Sequence, residues 1–148
     1  MKKIENFSIT PMFGGEETCS KLNFQGQDCQ LILEGVALEA QFQTENDRYL
    51  LLLTDELPHE EQVHVYLLDN KCRVLDSLEI GEPYTTGLLQ NIKIGVNDVI
   101  NFTFPNEANR YRLRVMEKSK RSMFSTPVKA VTQNKGPLRK RYLQIEEA

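Results

Sequence analysis

The chain has 148 residues, 40% of them apolar and 26% charged, which is the makeup of one globular domain able to bury roughly 70% of its unfolded surface and argues against wholesale disorder. Its longest uninterrupted apolar run, Tyr49 to Leu53, is far short of the ~20 residues a membrane-spanning helix needs, and Cys19, Cys29 and Cys72 offer neither a disulfide framework nor the paired spacing of a zinc site. The net charge of −3 conceals an asymmetry: residues 1–109 carry 7 Lys and Arg against 18 Asp and Glu, a net of −11, whereas residues 110–148 carry 11 against 3, a net of +8.

Lys3 to Ile9 and Thr18 to Phe24 are weak strand candidates, separated by Pro11, Gly14 and Gly15, whose backbone habits favour a loop. Gln27 to Leu33 and Val36 to Gln43 alternate more clearly. Cys29, Leu31 and Leu33 form one stripe, and Val36, Leu38, Ala40 and Phe42 another. A two-residue turn at Glu34-Gly35 predicts a half-buried antiparallel hairpin with Glu39, Gln41 and Gln43 facing outward. Tyr49 to Leu53 is apolar on both parities, which predicts a central strand covered on both sides. Thr54 to Glu61 reads as a loop, since Pro58 disfavours helix at the residue before it.

Gln62 to Ile80 is the best-patterned stretch, two strands joined at Asp69-Asn70-Lys71. Val63, Val65 and Leu67 alternate on the first arm; Cys72, Val74, Leu78 and Ile80 share one parity on the second. A turn of two or four residues places both sets on one face, because a one-residue slip reverses an arm. Asp76 breaks the pattern, since it has the parity of the core. A buried carboxylate must be hydrogen-bonded or paired, so a β-bulge near Leu75, or a strand end where the side chain reaches water, is expected there.

Further strands are predicted over Leu88 to Ile94, Asp98 to Phe104, Arg110 to Met116 and Arg141 to Ile145. Lys118 to Gly136 is polar and aperiodic and reads as a loop or linker. Together these elements predict an all-β fold, a single-domain antiparallel β-sandwich of about 8–10 short strands, with a closed β-barrel as the alternative. The expected organisation is a body at 1–117, a polar loop or linker at 118–137, and a basic strand or tail at 138–148 packing on the body.

Chemistry is sparse. The phosphate-loop, dinucleotide and nucleophile-elbow spacings are absent. His59 and His64 are the two histidines; with a neighbouring carboxylate they could ligate a metal or serve as a base, but nothing in the spacing makes them converge. His64 has the outward parity of its strand, so both are expected at the surface. Cys29 and Cys72 have core parity and read as small buried hydrophobes. No catalytic, cofactor or metal residues are therefore assigned.

The basic end is the strongest lead. Arg110, Arg112 and Arg114 form a one-sided guanidinium stripe; Lys118, Lys120 and Arg121 follow, and Arg139, Lys140 and Arg141 close the chain. The expected function is a non-enzymatic protein-interaction or assembly module working through a strand edge and this basic segment, with another protein or a second copy of the chain as partner. The alternative is a nucleic-acid-binding domain in which the same stripe grips phosphates and Tyr111 or Tyr142 stacks bases. A third reading places a small apolar ligand between Phe42, Phe102 and Phe104. Met1-Lys2-Lys3 begins like a secretion signal, but Glu5, Asn6 and Ser8 follow where an apolar run is needed, so a cytoplasmic location without membrane contact is expected.

Overall fold

The computed structural model describes residues 1–12, 18–57, 60–121, 128–133 and 140–148. Among them are thirteen strands and no helix: β1 Lys2–Lys3, β2 Phe7–Pro11, β3 Cys19–Phe24, β4 Gln27–Glu34, β5 Ala37–Gln43, β6 Tyr49–Thr54, β7 Val63–Leu68, β8 Val74–Ile80, β9 Gln90–Ile94, β10 Val99–Thr103, β11 Arg110–Arg121, β12 Val131–Gln133 and β13 Lys140–Glu147. The fold is an antiparallel β-sandwich and not a closed barrel. No helix among the described residues is long and apolar enough to cross a membrane.

The sandwich is built of three sheets. A six-stranded sheet, in the order β1-β5-β6-β7-β8-β12, is accompanied by a four-stranded sheet, β13-β11-β10-β9, and a three-stranded sheet, β2-β3-β4. Side-chain alternation along β6 explains the layering. Leu50 and Leu52 join a core with Ile100, Phe102 and Leu113 of the four-stranded sheet, whereas Leu51 and Leu53 join a second core with Phe7, Leu22 and Leu33 of the three-stranded sheet. The six-stranded sheet is therefore the middle layer, and the doubly apolar Tyr49 to Leu53 is its centre, as its pattern predicts. Phe42, Phe102 and Phe104 are all buried within the first core.

The predicted hairpin of Gln27 to Leu33 with Val36 to Gln43 does not form. Strand β4 pairs with β3, and β5 pairs with β6 and β1, so the two segments belong to different layers. The chain crosses between layers at Gly35. Its φ of +112° and the 2.7 Å approach of Leu53 Cβ to the place where a Cβ would stand explain the glycine. With β2 over the middle sheet, Gln41 is half-buried rather than exposed; its amide spans the backbone of Phe7, accepting from N at 2.8 Å and donating to O at 3.0 Å.

The β7–β8 connection runs from Asp69 to Arg73, and Asp69 N donating to Arg73 O at 2.9 Å closes a turn of three residues, Asn70 to Cys72, within it. Cys72 takes the left-handed conformation at φ +60°. An odd turn would put Leu75, Ser77 and Glu79 on the core face. A bulge corrects this: Leu68 pairs with Val74 but Leu67 pairs with Asp76, so Leu75 is the extra residue. The bulge is where the sequence suggests, and its effect is the reverse of the expected one. It turns Leu78, Ile80 and Asp76 inward, and leaves Cys72 and Val74 on the other face.

Candidate functional site

The basic stripe lies on the outer face of the four-stranded sheet. Tyr111, Leu113 and Val115 point into the core and are buried, so Arg110, Arg112 and Arg114 of β11 point to solvent and are exposed. Register extends the array sideways. Arg112 stands opposite Asn101 of β10, and Asn101 opposite Lys93 of β9; on the other flank Arg112 faces Glu146 of β13 and binds it at 3.0 Å. Arg110 and Arg114 make no ion pair among the described residues. Lys118, Lys120 and Lys140 are exposed near the same end of the sheet. Arg121 closes β11, and Arg139 lies outside the described residues.

Arg141 is engaged within the fold. Its Nη1 lies 3.7 Å from Asp76 Oδ1, with the Arg141 side chain 14% exposed and that of Asp76 2%. Asp76 Oδ2 accepts the backbone N–H of Tyr142 and of Leu143, each at 2.9 Å, and Oδ1 accepts the N–H of Ser77 at 2.8 Å. The expectation that this acid escapes to water is thus corrected. It is buried because β11 and β13 lose register beside Leu143, and the carboxylate takes up the amides there. Tyr111 is buried under the stripe, and Tyr142 is half-buried with the Arg48 guanidinium 4.7 Å from its ring centroid.

A second cluster forms where the sequence predicts none. His64 on β7 stands opposite Leu53, whose face is roofed by the three-stranded sheet, so the imidazole is buried rather than exposed. Its Nε2 lies 2.8 Å from Asp55 Oδ1, which also accepts the Thr18 hydroxyl at 2.8 Å. Its Nδ1 faces Glu34 Oε2 of β4 and Glu79 Oε1 of β8, each at 3.4 Å, and has no hydrogen-bond partner. Burial alone would lower the His64 pKa, but Asp55 and Glu79 override it and hold it up to about 9. Hydrogen bonding with Glu79, added to burial, pushes Glu34 up to about 7, and His64 pulls Glu79 down to about 2. Glu34, His64 and Glu79 offer three ligand atoms within 4.8 Å of one another. Glu34 and Glu79 line a surface cavity of about 330 Å³ together with Tyr66, Ser77 and Thr132. His59 lies outside the described residues.

Covering both faces of β6 is the signal that finds this cluster. If the middle strand is roofed on both sides, its neighbour β7 is roofed too, and the residue paired with Leu53 cannot face water. The same roof brings Cys29 and Cys72 together, with Sγ atoms 3.5 Å apart although 43 residues separate them in sequence. They are free thiols, half-buried at the edge of the second core. Burial and the Cys72 neighbour push the Cys29 thiol up to about 12.

The fold and these two clusters define an all-β, three-layered sandwich with a basic outer sheet and a buried imidazole–carboxylate group between layers. Comparison of the chain with protein-family models, curated proteins and solved structures finds no match.

Proposed function

We propose that this chain is a non-enzymatic interaction module whose four-stranded sheet docks on an acidic protein surface, a second copy of the chain included. The observation that carries the reading is the alignment of Arg110, Arg112 and Arg114 with Lys93 across one exposed sheet face, where Glu146 pairs with Arg112 and leaves Arg110 and Arg114 without an ion pair among the described residues. Guanidinium forks match carboxylates in bidentate geometry and are less strongly hydrated than ammonium groups, which suits them to interfaces. The acidic residues 1–109, at a net of −11, supply a complementary surface on another copy. Edge strand β9 adds backbone donors and acceptors beside the array, flanked by exposed Leu88 and Val96.

Single-stranded nucleic acid is the less favoured occupant of this face. Such binding rests on aromatic platforms as well as charge, and here Tyr111 is buried while Tyr142 is covered by Arg48.

Sedimentation equilibrium and fluorescence anisotropy test the reading, the latter with labelled polyglutamate and labelled oligothymidylate as probes. The expected result is self-association or polyglutamate binding that weakens as salt rises and is lost in the Arg110→Glu/Arg114→Glu double variant. A chain that stays monomeric and ignores polyglutamate at low salt overturns the reading, as does tighter binding of oligothymidylate than of polyglutamate.

A further inference from the structure

We propose that Glu34, His64 and Glu79 form a binding site for a divalent transition-metal ion of the zinc class, held between the middle sheet and the three-stranded sheet. Asp55 sets the orientation of the imidazole. Its Oδ1, 2.8 Å from His64 Nε2, accepts the proton of that nitrogen, so Nδ1 is the nitrogen left to bind a metal, and it faces two carboxylates. An imidazole nitrogen and two carboxylates facing one another hold a positive charge among them, a proton in the metal-free chain or a cation in its place.

Distance shows which of the two the geometry suits better. A protonated imidazole bonded to a carboxylate draws the oxygen to about 2.7–2.9 Å, whereas both oxygens here stand 3.4 Å from Nδ1 and neither serves as its hydrogen-bond partner. Ligands bound at about 2.0–2.1 Å in a tetrahedral site lie about 3.3–3.4 Å from one another. The two distances from Nδ1, 3.4 Å each, match the separation of metal ligands around a centre better than that of a short charge-assisted hydrogen bond. One imidazole nitrogen and two carboxylate oxygens suit zinc, and ions of similar preference, better than magnesium, which keeps an octahedral oxygen shell and most of its water.

The surroundings match a metal site in two further respects. An imidazole that ligates a metal hands its other N–H to a carboxylate or carbonyl, and Asp55, itself held by Thr18, fills that place. Glu34 and Glu79 have side chains 56% and 39% exposed beside the cavity, so an ion has a path from solvent and a water can complete the shell. Because the ligands come from β4, β7 and β8, an ion bound here staples two layers of the sandwich.

The test uses the full chain stripped with EDTA and titrated with Zn²⁺ by calorimetry, with Co²⁺ absorption as a readout of geometry. One ion per chain, the intense visible bands of tetrahedral Co²⁺, and a rise in melting temperature with Zn²⁺ are expected, with Mg²⁺ producing none of these. Affinity should fall at least 10-fold in Glu34→Gln and Glu79→Gln, whose exposed side chains leave folding intact, and 10–100-fold in Asp55→Asn. Cys29→Ser and Cys72→Ser should bind as the parent does. Absence of stoichiometric Zn²⁺ binding overturns the proposal, and so does binding that survives both glutamate variants or disappears with either cysteine.

Discussion

Asp76 and His64 sit on neighbouring strands and opposite faces of the middle sheet, and each is a polar group sealed inside an apolar layer. Their surroundings differ in how completely they answer it. Asp76 receives three backbone N–H groups and has the Arg141 guanidinium alongside, so both of its oxygens are engaged. His64 is answered at Nε2, whereas Nδ1 has no hydrogen-bond partner and faces only the Glu34 and Glu79 oxygens at 3.4 Å, the two glutamates that line the cavity. A closed polar network locks structure, whereas an open one beside a cavity has capacity for something else. Asp76 is thus read as a latch between β8 and β13, and His64 as half of a site.

Removing the latch should have the largest effect. Asp76→Ala strips the partner from the Tyr142 and Leu143 amides and removes the carboxylate beside the half-buried Arg141. Breaking a buried charge pair of this kind costs about 3–5 kcal/mol, to be read as a lower urea midpoint. Hydrogen exchange should rise first at Tyr142 and Leu143. If the variant unfolds at the parent's midpoint, Asp76 is no latch.

His64→Leu in metal-free protein should cost less, about 1–3 kcal/mol. Leucine suits the apolar roof beside Leu53 and Leu68, Asp55 keeps the Thr18 hydroxyl, and Glu34 and Glu79 can turn toward water. A loss equal to that of Asp76→Ala, measured in the same urea titration, would erase the distinction between the two clusters.

Asp69 supplies a comparison at the surface, a carboxylate that also accepts backbone N–H groups but with water in reach. Burial works to raise its pKa, but the amides of Arg73 and Lys71 and the Arg73 guanidinium prevail and hold it below the usual 3.8. A depressed carboxylate stabilises the fold above its unfolded value and loses that contribution as pH falls through the lower native one. Asp69→Ala should therefore cost about 1 kcal/mol at neutral pH and should flatten the loss of stability below about pH 4. Urea midpoints of the two proteins across the acid range check this; parallel curves would count against it.

Much of this contrast was legible in the residues, and the part that was not has a physical cause. Alternation in Val63 to Leu67 and the doubly apolar Tyr49 to Leu53 place the strands and the middle layer, because burial on a pleated sheet writes itself at period two. Asp76 announces itself as the acid with core parity. What answers it does not, for Tyr142 N is 66 residues away and a backbone amide has no sequence signature. The bulge at Leu75 is equally silent: turns of two, three or four residues are all compatible with Asp69-Asn70-Lys71, and only pairing decides the register. The burial of His64 is not legible in the same way, because alternation tells which side a residue faces, not whether that side is covered. Its roof comes from β2, β3 and β4, whose own patterning is weak, and Glu34 looked like half of a turn when it is the end of a strand that changes layers at Gly35.

The basic face should give the smallest change in stability and, on the proposed reading, the largest in binding. Arg110 and Arg114 are exposed and make no ion pair among the described residues, and isolated surface substitutions usually move stability by no more than about 0.5 kcal/mol. The Arg110→Glu/Arg114→Glu variant should therefore melt with the parent while losing salt-sensitive association. Arg112→Glu is a different change, since it sets a glutamate opposite Glu146 and replaces an exposed ion pair with repulsion across β11 and β13. Its stability should fall slightly further than that of the double variant, and restoring opposite charge with Glu146→Arg should recover it. Should the double variant melt well below the parent, those guanidiniums belong to the fold in the manner of Asp76, and the free surface that the interaction reading requires is not there.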